Sequence, residues 1–135
     1  MPCLRTSRRR ETSRVSPSPM KRVLVVEDHP EIRALLIQLL QEAGYTVTDA
    51  WAFVEAKAKL EADRFDLLIA DVLIPGGRLG TDLAEIAAAR HMKYLLVTGH
   101  PAEIRVLDER KEPYIAKPFR AAEFFERIDR LWDGD

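Results

Sequence analysis

MKRVLVVEDHPEIRALLIQLLQEAGYTVTDA, residues 20–50, is the stretch on which the reading of the fold turns. Val23–Val26 is an unbroken apolar run, the pattern of a strand covered on both faces rather than one that alternates toward solvent. Two acids follow it, Glu27 and Asp28. Then Ile32, Leu35, Leu36, Leu39 and Ala43 recur at helical spacing until Gly44 ends the segment. A second short run, Tyr45–Thr48, comes directly after, so two strands are joined by a helix. Such a crossover places consecutive strands in parallel.

The same alternation continues outward along the chain. Leu67–Ala70, Tyr94–Val97 and Tyr114–Ala116 read as strands, while Phe53–Ala62, Thr81–Ala89 and the weakly patterned Pro101–Arg110 read as helices. A last helix from Ala121 sets Ala121, Phe124, Phe125, Ile128, Leu131 and Trp132 on one face. Five β-α repeats predict an α/β domain: an open, doubly wound, five-stranded parallel sheet of order 2-1-3-4-5 with helices on both faces. In that order the topological switch lies between the first and third strands, and a site is expected there at the carboxyl ends.

The chain has 135 residues, room for one ordinary domain. Hydrophobic residues at 47% and charged residues at 32% are globular values, and no apolar run is long enough to span a membrane, so a soluble protein is expected. A net charge of −1 conceals an asymmetry: residues 1–19 hold five Arg against one Glu, or +4, which leaves −5 on residues 20–135. The expected organisation is a disordered basic tail, 1–19, ahead of a domain, 20–135. The tail's Arg, Ser, Thr and Pro cannot bury enough surface to offset the entropy of ordering. It has no aromatic to stack on bases and no apolar helical face for a membrane, so neither nucleic acid nor membrane is an expected partner. Cys3, the one cysteine, allows neither an internal disulfide nor a Cys-based zinc site, and a cytoplasmic location is expected.

At the strand ends stand Glu27 and Asp28 (first), Asp71 (third), Thr98 (fourth) and Lys117 (fifth). Three carboxylates converging at the switch favour capture of a divalent cation, and oxygen ligands suit Mg²⁺ or Mn²⁺ rather than zinc. With the Thr98 hydroxyl and the Lys117 ammonium opposite, the set forms a receptacle for a metal-held anion, a phosphoryl group above all, with an Asp as possible nucleophile. No Gly-rich phosphate loop is present, which disfavours nucleotide chemistry. His29, His91 and His100 show no metal-ligand pairing in sequence and no Ser-His-Asp arrangement.

VLVVEDHP at 23–30, DLLIADVLIP at 66–75, LLVTGH at 95–100 and YIAKPF at 114–119 resemble, in this order, the motifs of response regulator receiver domains. The resemblance covers residues 20–135 and implies the flavodoxin-like, CheY-like fold of two-component signal transduction. It implies that Asp71 is the phosphoacceptor, that Mg²⁺ is held by Asp28, Asp71 and the Leu73 carbonyl with Glu27 acting through water, and that Thr98 and Lys117 hold phosphoryl oxygens. Tyr114 matches the aromatic that turns inward as Thr98 moves, and Pro118 a proline preceded by a cis bond. The implied function is that of a stand-alone response regulator. It takes its phosphoryl group from a sensor histidine kinase or histidine phosphotransfer protein and signals to a downstream protein, with no enzyme activity beyond self-catalysed phosphotransfer and autodephosphorylation. A phosphorylation-independent module of the same fold, or a piece of a longer regulator, is the alternative.

Three features depart from the pattern. Leu73 is apolar where many relatives are polar, the loop at 76–80 is about one residue longer, and the stretch from Thr98 to Lys117 is shorter by about one helical turn. The Thr98-Gly99 pair and the short fourth helix are similar to single-domain receivers that serve alphaproteobacterial kinases, though His100 stands where those have an aromatic.

Overall fold

The structure, a computed structural model, describes residues 21–76 and 78–133; the stretch read above as a tail lies outside them. Strands and helices alternate throughout: β1 (Arg22–Val26), α1 (Pro30–Glu42), β2 (Thr46–Ala50), α2 (Phe53–Ala62), β3 (Leu67–Asp71), α3 (Gly80–Ala89), β4 (Lys93–Thr98), α4 (Pro101–Arg110), β5 (Tyr114–Ala116) and α5 (Ala121–Asp133). All five strands are parallel, in the order β2-β1-β3-β4-β5. The expected doubly wound sheet is therefore present.

Alternate strand residues feed two cores. Val23, Val25, Leu67, Ile69, Leu95, Val97 and Ile115 pack against Leu36 and Leu40 of α1 and Phe124 and Ile128 of α5. Leu24, Val26, Leu68, Ala70 and Leu96 pack on the other face against α2, α3 and Leu107 of α4. This two-sided cover is why the inner strands read as unbroken apolar runs.

The edge strand β2 differs from its expected bounds, running from Thr46 to Ala50 instead of 45–48. Its polar residues Thr48 and Asp49 are only half buried, so the sequence has no apolar block to mark its end. The buried face of α1 also needs a correction. Leu35 is 48% exposed while Leu40 is fully buried, because the stripe that meets the sheet runs through Leu36, Leu40 and Ala43.

Three helices end in the same way. After α1, Gly44 at φ 99° sends its N–H to the Gln41 carbonyl and Tyr45 sends its N–H to Leu40, a pairing that occupies two carbonyls otherwise left without partners. After α3 and α4 the left-handed position is filled by His91 (φ 61°) and Lys111 (φ 58°). A side chain there crowds its own carbonyl. Lys111→Gly is expected to stabilise the fold by roughly 0.5–1 kcal/mol in urea or thermal unfolding, the relief outweighing the added freedom of the unfolded chain.

Candidate functional site

Register brings the chemistry together. Val26 pairs with Ala70, so Glu27 and Asp71 close β1 and β3 side by side; Asp71 pairs with Val97, and Thr98 with Ala116, which puts Thr98 and Lys117 at the next two strand ends. The main chain holds these ends: Glu27 N–H donates to Ala50 O at 3.0 Å, and Lys117 N–H to Thr98 O at 2.9 Å. Asp71 and Thr98 are the last residues of their strands rather than the first beyond them. The Lys117–Pro118 peptide bond is cis, as the resemblance implied.

Lys117 is the hub. Its Nζ donates to Asp71 Oδ2 at 2.7 Å and to Glu27 Oε1 at 3.2 Å. The other Asp71 oxygen accepts the Leu73 N–H at 3.2 Å, and Thr98 Oγ1 accepts the His100 N–H at 3.2 Å. Glu27, Asp71 and Thr98 are buried, whereas Asp28 is half-buried at the mouth. Burial, and then the charge of Asp71, lifts the Glu27 carboxyl above its ordinary value. Burial works against the Lys117 ammonium, but its hydrogen bond with Asp71 and the charges of Asp71 and Glu27 prevail and raise it.

Three participants escaped the sequence reading. His29 turns back on the acids: its N–H donates to Glu27 Oε2 at 3.2 Å, and its Nδ1 lies 3.3 Å from that oxygen and 3.6 Å from Asp28 Oδ1. Arg33 of α1 donates from Nη1 to the Glu27 carbonyl at 2.8 Å while its Nε pairs with Asp49 at 3.2 Å, which ties the acidic turn to the end of β2. Gly80 opens α3 directly on the Asp71 main chain, where a Cβ would stand 2.1 Å from the Asp71 carbonyl oxygen. No GxGxxG-type spacing marks it in the sequence.

Tyr114 sits half-buried on β5, its hydroxyl bonded to Asp108 of α4, which raises its pKa, and the Arg127 guanidinium 5.9 Å from its ring. The side chain of Leu73 is 40% exposed at the mouth, and Leu73 bridges to Leu79 across the loop. Trp51, Val54 and Leu79 are also exposed.

Glu27, Asp28 and His29 each offer a ligand atom, all within 4.8 Å of one another. Glu27 and Asp71 share one ammonium, and Asp28 stands close to Glu27 and His29, so the site has an excess of negative charge that a hard divalent cation would balance. The donors are mainly carboxylate oxygens, the chemistry of Mg²⁺. The residues present fit that ion.

Comparison with known proteins points one way. The family model for the response regulator receiver domain matches residues 23–129. The transcriptional regulatory protein TcrA of Mycobacterium tuberculosis is 33% identical over 118 residues, covering 82% of this chain and 45% of TcrA. The chain thus spans less than half the length of that relative. The response regulator receiver protein CpdR of Brucella abortus is 30% identical over 118 residues, covering 83% of this chain and 97% of CpdR. Among solved structures, response regulator TrrA of Thermotoga maritima, in complex with Mg²⁺ and BeF, has a TM-score of 0.73 at 35% identity, with 83% of this chain and 99% of TrrA covered. Among the described residues no helix is long and apolar enough to cross a membrane.

Proposed function

Because this chain belongs to the response regulator receiver domain family, we propose that Asp71 accepts a phosphoryl group from the phosphohistidine of a sensor histidine kinase or histidine phosphotransfer protein, and that a downstream protein reads the result. The observation that carries this reading is the placement of the Asp71 carboxylate at the end of the central strand, 2.7 Å from Lys117 Nζ. One Asp71 oxygen attacks the phosphorus, the bond from phosphorus to the donor imidazole breaks, and the electron pair leaves with the imidazole. Lys117 neutralises charge on the acceptor beforehand and on a phosphoryl oxygen afterwards. Thr98, whose oxygen already accepts the His100 N–H, has an O–H to donate to a second phosphoryl oxygen. Asp28, Asp71 and the Leu73 carbonyl would hold Mg²⁺, with Glu27 one water further out; when bound, the ion supplies the positive charge that lets carboxylates and phosphoryl oxygens approach.

An aspartyl phosphate adds close to two negative charges to the crevice. Thr98 is drawn toward it, and the space Thr98 leaves admits the Tyr114 ring, which shifts the balance between two packings of β4, α4 and β5. The test is incubation of the intact chain with Mg²⁺ and acetyl phosphate, followed by intact mass. A gain of one phosphoryl group, abolished by chelator, is the expected result; an unchanged mass under these conditions overturns the reading.

The lifetime of the phosphorylated form should be governed by Leu73. Hydrolysis needs water in line behind the phosphorus, and Leu73, two residues after Asp71 and partly exposed at the mouth, fills volume there without offering a hydrogen bond. Leu73→Asn is expected to speed decay about tenfold, equivalent to about 1.4 kcal/mol of barrier, and His100→Ala to have a smaller effect. Loss of label at fixed Mg²⁺ with no kinase present measures it.

A further inference from the structure

The end of the sheet opposite the acidic site carries a cleft of about 740 Å³, within the size range of small-molecule sites. Its walls come from the amino-terminal ends of the strands and the turns that lead into them: Lys21 and Arg22 at β1, Arg64 and Asp66 ahead of β3, Lys93 at β4, and Arg90 and His91 after α3. Five Lys and Arg side chains and one His face two carboxylates, Asp63 and Asp66. This concentration of positive charge stands on a domain whose residues 20–135 sum to −5.

Local pairing uses part of that charge, Lys93 having a partner of its own, but not all of it. Both carboxylates turn to one residue: Asp66 Oδ2 accepts the Arg22 N–H at 2.8 Å, and Asp63 Oδ2 lies 3.7 Å from Arg22 Nη2. Helix ends account for another cation, since the Arg90 guanidinium donates to the Leu60 carbonyl of α2. Among the described residues, Lys21, Arg64 and His91 make no ion pair; Lys21 Nζ stands 4.5 Å from the centre of the Trp132 ring, and Arg64 and His91 are exposed. Like-charged groups gathered around a concavity repel one another, and a multiply charged anion would relieve that repulsion.

We propose that this cleft binds a small oligophosphate, either a free phosphate chain or the phosphate chain of a nucleotide, through Lys21, Arg64 and His91. The size of the cleft favours a small ligand over a duplex, and guanidinium and ammonium groups lining one concavity match the adjacent phosphoryl groups of one chain. The site is independent of the phosphoacceptor. The five-residue strand β1 separates them by about 15 Å.

Trp132 makes the cleft observable. In the 135-residue Trp51→Phe chain Trp132 is the remaining tryptophan, and its emission is titrated with tripolyphosphate, ATP and citrate in metal-free, phosphate-free buffer, with calorimetry as a second readout. Saturable binding of tripolyphosphate or ATP, weakened about tenfold or more by Arg64→Glu, is the expected result; equal affinities assign recognition to the phosphate chain, and tighter ATP binding assigns it to the nucleotide. Arg64 is exposed and unpaired, so this variant keeps its fold, and acetyl phosphate should still label Asp71 in it at the parent rate. No saturable binding, citrate binding as tight as tripolyphosphate, or affinity that survives Arg64→Glu each overturns the proposal, the last by showing that the anion does not use Arg64.

Discussion

Asp71→Asn is expected to abolish labelling by acetyl phosphate and by any kinase while the protein stays folded. The amide has the volume of the carboxylate and no nucleophilic charge, and it takes away a proposed metal ligand in the same step. Two opposing changes bear on stability. The 2.7 Å charge-assisted bond with Lys117 weakens, and the Glu27 carboxyl, raised first by burial and then by the charge of Asp71, is freed of the second of these. Each is of order 1 kcal/mol, so the unfolding free energy should stay within about that amount of the parent. Intact mass after labelling and a denaturant melt are the measurements. Labelling at the parent rate in this variant would place the acceptor elsewhere.

Gly80→Ala should be costly for a reason that helix propensity would miss. Replacing glycine by alanine in a helix is ordinarily favourable by up to about 1 kcal/mol. Here the new Cβ would lie 2.1 Å from the Asp71 carbonyl oxygen, 2.9 Å from its carbon and 3.2 Å from Val72 Cα. Main-chain atoms must retreat by about 1 Å, and overpacking of this kind destabilises by about 3 kcal/mol. The residue forced to move is the proposed acceptor itself. A displacement of that size in a reacting group lowers its rate by about a hundredfold, so labelling of the variant, measured below its melting temperature, should slow accordingly. A Gly80→Ala variant as stable and as reactive as the parent would show that the first turn of α3 can slide away without disturbing Asp71.

The contrast between these two residues explains what the sequence could and could not show. Strand order, strand count and the positions of Glu27, Asp71, Thr98 and Lys117 are legible because covered parallel strands leave unbroken apolar runs, and polar residues that interrupt such runs stand out. Asp71 is visible because it follows Leu67–Ala70. Gly80 is not, because a close approach between main chains leaves no periodic trace. The same holds for Arg33, a helical residue like many others until its guanidinium reaches the Glu27 carbonyl, and for His29, whose place beside Glu27 and Asp28 depends on how the turn after β1 folds back. Leu35 and Leu40 trade places between the two faces of α1 because four leucines within six positions satisfy more than one helical stripe. The end of edge strand β2 is hidden since half its surface meets water. Left-handed helix ends at His91 and Lys111 carry no glycine to announce them.

The fourth helix has a consequence of its own. α4 buries one side chain fully, Leu107, and adds the Asp108 bond to Tyr114 of β5, whereas α2 and α3 each bury at least three residues. Burial of one leucine contributes about 2 kcal/mol and one such hydrogen bond about 1 kcal/mol, so local detachment of α4 should cost less than global unfolding. Its amides should exchange with solvent deuterium far sooner than those of β3, whose five residues are all buried and which are released only when the whole molecule opens. The resting protein should then visit arrangements with α4 displaced by thermal motion alone. Any event at the neighbouring end of β4 has only to retain one of them.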